Sequence, residues 1–177
     1  YEKENWLVVS SAIDKYIFVI INERFDDRIY LNYSKREVVD HPDDIQHDLI
    51  REALRLTGVT KGVEITTLTD IPPEGSGLGS SSSITVGLLN ALYHYCGNPQ
   101  SPEKLAIDAC EIEINRCGKP IGKQDQYIAA YGGIRSFIFS NAGVDVEKIE
   151  VSKENRQTLS ENLMLFFTNK TRKAETV

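Results

Sequence analysis

Residues 72–83 read Pro-Pro-Glu-Gly-Ser-Gly-Leu-Gly-Ser-Ser-Ser-Ser, and they carry the clearest chemical signal in the chain. Gly75, Gly77 and Gly79 lack a Cβ, so the backbone can turn tightly and come close to a ligand. Ser80, Ser81, Ser82 and Ser83 follow where the apolar spacing switches from strand to helix. The first N–H groups of a helix have no internal partners, and the helix dipole favours negative charge there. Small hydroxyls add donors without blocking access, so this stretch is suited to cradle a phosphate. A flexible turn with a serine cap would use similar residues. Four consecutive serines are poor helix formers, however, which points to a helix start that serves a ligand. The spacing is neither Gly-x4-Gly-Lys-Ser/Thr nor Gly-x-Gly-x-x-Gly, which excludes a P-loop and a dinucleotide fingerprint.

Phosphoryl transfer to a hydroxyl also needs a metal ligand and a group to take the proton. Glu111 and Glu113 lie on a later helical segment, and Asp125 lies in the run Gly-Lys-Pro-Ile-Gly-Lys-Gln-Asp-Gln-Tyr at 118–127. Helical spacing puts Glu113 on the side of Ala106, Ala109 and Cys110, an unusual place for a carboxylate. The structural alternatives are a solvated helix glutamate and, for Asp125, the N-cap of the short helix that follows.

These residues need elements to position them. Residues 6–13, 16–22 and 28–34 read as strands, the last by clean alternation of Ile29, Leu31 and Tyr33. Residues 43–57 read as a helix with Ile45, Leu49, Ile50, Ala53, Leu54 and Leu56 on one face and Gly58 at its stop. Val63, Ile65 and Thr67 alternate in a strand that leads into the glycine-rich loop. Helices are expected over 80–95, over 101–116 after the Ser101-Pro102 start, and over 125–131. Strands are expected over 134–140, 144–151 and 163–168, with polar residues 152–162 as the one hint of a boundary. Strands in runs with helices between them give an α+β fold.

Composition narrows the function classes. The net charge of −6 argues against general nucleic-acid binding. Cys96, Cys110 and Cys117 form no Cys-x-x-Cys pair, and they read as reduced, mostly buried thiols of a cytoplasmic protein. His41, His47 and His94 show no metal spacing. No apolar stretch reaches membrane-spanning length and no signal-peptide pattern opens the chain, so no membrane partner is expected.

The run Pro73-Glu74-Gly75-Ser76-Gly77-Leu78-Gly79-Ser80-Ser81-Ser82 resembles the second motif of the galactokinase, homoserine, mevalonate and phosphomevalonate (GHMP) kinase superfamily, Pro-x3-Gly-Leu-Gly-Ser-Ser-(Ala/Ser). The resemblance implies an α+β GHMP kinase N-terminal domain, similar to the second domain of ribosomal protein S5. It implies that Pro73, Gly75, Ser76, Gly77, Leu78, Gly79, Ser80, Ser81 and Ser82 wrap the phosphates of ATP. It gives Mg²⁺ to Ser81, with Ser80 as alternate, and to Glu113, with Glu111 as runner-up. It makes Asp125 the catalytic base.

A closer texture narrows the acceptor. Ala12-Ile13-Asp14-Lys15-Tyr16, the loop, the Gly-Lys-Gln-Asp-Gln-Tyr segment and residues 165–172 resemble the D-glycero-D-manno-heptose 7-phosphate kinases. That resemblance implies a sugar-phosphate acceptor phosphorylated at its anomeric hydroxyl, with Asp14, Lys15, Lys123, Gln126 and Arg172 at the acceptor side. Galactose, fucose or uronic acid kinases, mevalonate kinases and a non-catalytic nucleotide-binding module are the alternatives. An N-terminal substrate motif and a third glycine-rich motif expected of the family are not found between Tyr1 and Val177. The expectation is therefore a fragment, inactive alone, with the ATP-binding domain over 1–151 and a linker and truncated second domain over 152–177.

Overall fold

The computed structural model describes residues 5–71 and 77–166. Two sheets and a layer of helices make up the fold. β1 (Trp6–Ser11), β6 (Ile134–Ser140) and β7 (Gly143–Lys148) form an antiparallel sheet in the order β1-β6-β7. β2 (Ile17–Glu23), β3 (Ile29–Asn32), β4 (Arg36–Val39) and β5 (Val63–Thr69) form a second sheet in the order β2-β5-β3-β4. Among the described residues only the β3–β5 pair is parallel. The chain crosses between those two strands through β4 and α1 (Asp48–Thr57), as a parallel pair requires. The architecture is α+β, as the order of elements in the sequence implies.

The main core lies between the second sheet and the helices α1, α2 (Ser80–Tyr95) and α3 (Pro102–Cys110). Ile29, Leu31, Val63 and Ile65 supply the sheet side, and Leu54, Leu88, Leu89 and Leu92 the helix side, all at 1 % exposure or less. Alternation in β3 and β5 and the 3.6 period in the helices put these residues inward. α2 comes close to β2 because residue 87 is glycine. A Cβ there would meet Val19 Cγ2 at 3.2 Å.

A second apolar cluster docks α4 (Gln124–Tyr131) on the β1-β6-β7 sheet. The Tyr127 ring meets Phe137 and Phe139 edge-on, with centroids 6.1 and 5.7 Å apart. Gln124 Nε2 adds a hydrogen bond of 2.9 Å to Ser10 Oγ of β1. This contact fixes the start of α4, where Asp125 and Gln126 sit.

Several boundaries differ from the sequence expectation. The helix expected over 43–57 is two pieces, a 3₁₀ turn Pro42–Asp44 and α1 from Asp48. The Glu37 carboxylate accepts the Gln46 N–H at 2.7 Å, and Ile45 is extended at ψ 128°. That contact from a neighbouring strand outcompetes the helical path. Ile45 stays buried all the same. The strand over 28–34 shortens to β3, and β4 was not anticipated.

The helix expected over 101–116 is α-helical only to Cys110, and Glu111–Arg116 is a π-helical turn. Polar 152–162 holds a helix that the sequence did not announce, α5 (Lys153–Glu161), capped by Ser152 Oγ accepting Asn155 N–H at 3.1 Å. α5 buries none of its residues. Of the strand expected over 163–168, residues 163–166 have no regular structure, and 167–168 lie outside the described residues. Cys110 is buried, Cys117 half-buried and Cys96 exposed. Burial pushes the Cys110 thiol up to about 12 and the Cys117 thiol up to about 11, so neither is a reactive thiolate.

Candidate active site

The site grows from the start of α2. Gly79 caps the helix in the left-handed conformation, φ 68° and ψ 25°, which a residue with a Cβ adopts reluctantly. Gly79 brings no capping side chain, so among the described residues the positive end of this helix carries no side-chain cap at its N-cap position. The Ser83 N–H closes the first turn on Gly79 O at 2.9 Å. Ser80 and Ser82 are buried, while Ser81 is half-buried. Pro73, Gly75 and Ser76 lie outside the described residues, as does Arg172.

Ser81 meets Glu113. The Ser81 hydroxyl donates to Glu113 Oε2 at 2.7 Å across a sequence separation of 32 residues. Glu113 is fully buried, as its helical side implies. Burying a carboxylate costs several kcal/mol unless donors surround it. Three do. Besides Ser81, Gln126 Nε2 donates to Glu113 Oε1 at 3.0 Å, and Lys119 Nζ lies 3.7 Å from Oε2. Lys119 Nζ also donates to Ser81 Oγ at 2.9 Å. The π turn that carries Glu113 belongs to a class of helix irregularity often found at functional sites.

Asp125 approaches the same place from α4. A Cβ added to Gly79 would sit 3.4 Å from Asp125 Cγ and 3.5 Å from its Oδ2, so the carboxyl lies directly against the loop. The N-cap of α4 is Lys123, so Asp125 does not cap that helix but occupies its first turn. Asp125 remains exposed to solvent. Desolvation by the surrounding protein and, second, the Glu113 charge hold its pKa above the usual aspartate value.

The other expected residues are placed as follows. Gln126 is fully buried and turned toward Glu113 rather than toward the cleft, and its Oε1 is buried without a hydrogen-bond partner. Glu111 pairs with Arg116 at 3.4 Å and with Asn115, away from Ser81. Asp14 and Lys15 are exposed between β1 and β2 and make no hydrogen bond or ion pair with Ser81, Glu113 or Asp125. Lys123 is half-buried and close enough to act on the Cys110 thiol. Lys119 was not singled out by sequence reasoning. Its one signal was position, in a Gly-Lys-Pro turn just after the helix of Glu113.

The donor set fits a magnesium ion. Mg²⁺ takes oxygen ligands at about 2.0–2.1 Å in octahedral geometry, so adjacent ligand oxygens stand about 2.9 Å apart. Ser81 Oγ and Glu113 Oε2, at 2.7 Å, match that edge. Among the described residues no group of three or more His, Cys, Asp or Glu could hold a metal by itself. An open groove lined by Ile17, Phe18, Leu68 and Gly87 shares no residue with this cluster and offers only apolar walls and one amide, Asn90.

A glycine-capped helix start, a hydroxyl–carboxylate pair and a second carboxylate on the loop define a site suited to phosphoryl transfer. Residues 46–133 match the GHMP kinases N terminal domain, and the chain carries that domain. It is similar to the D-glycero-alpha-D-manno-heptose 7-phosphate kinase of Campylobacter jejuni, 29 % identical over 189 residues, covering 99 % of this chain and 56 % of that one. It is also similar to the mevalonate kinase of Methanothermobacter thermautotrophicus, 30 % identical over 129 residues, covering 71 % of this chain and 41 % of that one. The solved structure of a D-glycero-D-manno-heptose 1-phosphate kinase from Bacteroides thetaiotaomicron superposes with a TM-score of 0.77 at 29 % identity, covering 85 % of this chain and 53 % of that one. The chain spans about half the length of the relatives it matches. Among the described residues no helix is long and apolar enough to cross a membrane.

Proposed function

We propose that the protein to which this chain belongs is an ATP-dependent kinase that phosphorylates a sugar-phosphate hydroxyl, the anomeric hydroxyl of D-glycero-D-manno-heptose 7-phosphate. The observation that carries this reading is the convergence of Ser81, Glu113 and Asp125 on the glycine-capped start of α2. The first turn of α2 and the loop before it receive the nucleotide phosphates. Ser81 and Glu113 hold Mg²⁺, which when bound neutralises charge on the transferring phosphoryl group. Gln126 keeps the Glu113 carboxylate oriented through its 3.0 Å hydrogen bond.

Asp125 accepts the proton of the acceptor hydroxyl. A pKa raised by desolvation and, second, by Glu113 makes it a better proton acceptor than an ordinary aspartate. The acceptor oxygen forms its bond to the γ-phosphorus as the bridging P–O bond breaks, and ADP leaves. The acceptor's own phosphate needs a local cation despite the acidic chain. Lys15, Lys123 and Arg172 are the side chains assigned to it. A cytoplasmic setting follows from ATP as phosphoryl donor.

The heptose assignment rests on the likeness to heptose phosphate kinases over nearly the whole chain. A second reading, a mevalonate-type acceptor, is favoured by the mevalonate kinase relative. The test is ADP release and ³¹P NMR of products with the intact protein, offered heptose 7-phosphate, galactose, fucose and mevalonate in turn. Turnover of the heptose 7-phosphate to a 1,7-bisphosphate is the expected result. Turnover of mevalonate alone selects the second reading, and turnover of none refutes both.

A further inference from the structure

Lys119 is held at the metal pair by both its main chain and its side chain. Its backbone N–H donates to Glu113 O at 3.0 Å, and its ammonium donates to Ser81 Oγ at 2.9 Å and lies 3.7 Å from Glu113 Oε2. The Lys119 side chain is 22 % exposed, whereas Glu113 is 0 % exposed. The Lys119 side chain therefore reaches solvent in part, which the carboxylate does not. Ser81 Oγ and Glu113 Oε2 are the same two oxygens that suit a divalent cation. An ammonium and a divalent cation sharing them would repel strongly at such short range.

We propose that the Lys119 ammonium is an internal counter-ion of the Ser81–Glu113 pair, which a divalent cation must displace, so that Lys119 sets the metal affinity of the site. This rests on the reading that Ser81 and Glu113 bind the metal. Without metal, Lys119 neutralises a carboxylate that would otherwise be buried without a counter-charge. When the metal enters, the ammonium swings away on its long, partly exposed side chain. Such a device keeps the helix start folded before nucleotide arrives. It also ties tight metal binding to the added negative charge of the phosphates, which the displaced ammonium can meet.

The test compares wild type, Lys119→Met and Glu113→Gln in the intact protein, with Mn²⁺ binding read by electron paramagnetic resonance and melting followed in EDTA and in Mn²⁺. Lys119→Met should bind Mn²⁺ at least about tenfold more tightly than wild type without nucleotide. It should melt lower than wild type in EDTA and regain more on adding Mn²⁺. Mn²⁺ binding that Glu113→Gln abolishes, with Lys119→Met no tighter than wild type, overturns the role of Lys119 and leaves the metal pair standing. Absence of Mn²⁺ binding in wild type and Lys119→Met, with and without a non-hydrolysable ATP analogue, overturns both. If Lys119→Met does not fold, the double variant with Glu113→Gln decides. Recovery of a folded protein supports charge compensation, and failure to recover shows that Lys119 serves some other structural need and overturns the proposal.

Discussion

Gly79→Ala would separate the loop's conformational demand from its chemistry. Gly79 sits at φ 68°, where an alanine pays about 1–2 kcal/mol for a left-handed backbone. The new Cβ would stand 3.4 Å from Asp125 Cγ and 3.5 Å from Asp125 Cβ and Oδ2. Those are ordinary van der Waals contacts, so packing adds little to the backbone cost. For a chain of 177 residues that cost lowers the melting temperature by about 2–8 °C. The effect on turnover should be larger. The methyl would stand against the Asp125 carboxyl, the group proposed to take the acceptor's proton, and a small shift of that carboxyl moves it out of line with the hydroxyl. Displacing reacting atoms by about 1 Å costs on the order of 100-fold in rate. Melting by circular dichroism and coupled ADP release, on the same preparation of the intact protein, measure the two effects. Turnover within about threefold of wild type, together with the expected melting shift, would refute the idea that the position of the Asp125 carboxyl against Gly79 sets the rate.

Asp125→Asn should lower kcat by about 10²–10⁴-fold as the proton acceptor is removed, measured by ADP release with ATP binding checked separately by calorimetry. The same variant should be more stable than wild type at neutral pH. The folded pKa of Asp125 is raised, so its contribution to stability is complete below the ordinary aspartate pKa of about 3.9 and is lost as pH rises through the folded pKa. The stability gain of the Asn variant should therefore appear above that window and vanish below it in melts run across pH. The acid limb of kcat/KM in the wild type should lie above the ordinary aspartate value, because Asp125 must be ionised to act. Tyr93→Phe removes a buried 2.6 Å hydrogen bond to Asp108 and should cost about 1.5–3 kcal/mol in denaturant unfolding. It should leave turnover unchanged, since neither residue touches the loop cluster.

Much of the site was legible in the chain because it rests on local rules. The glycine run, the serine-rich helix start and the inward side of Glu113 follow from backbone freedom, helix-end chemistry and a 3.6 period. Elements that depend on distant partners were not legible. The Glu37 contact that breaks the helix before Asp48 comes from β4, itself a four-residue strand too short to announce by pattern. The π turn at Glu111–Arg116 has no compositional mark. Gln126 is assigned by resemblance to the acceptor side, yet docking of Tyr127 on Phe137 and Phe139 turns it inward to Glu113.

The sequence by itself determined the loop, the α+β class and the candidate carboxylates, because each depends on residues close in the chain. Only the tertiary structure decided which of them meet. Ser81 and Glu113 are 32 residues apart, and their 2.7 Å contact exists because α2 and the turn after α3 pack side by side. Lys119 became visible only there, since one lysine among many gains meaning when its ammonium is aimed at a buried carboxylate.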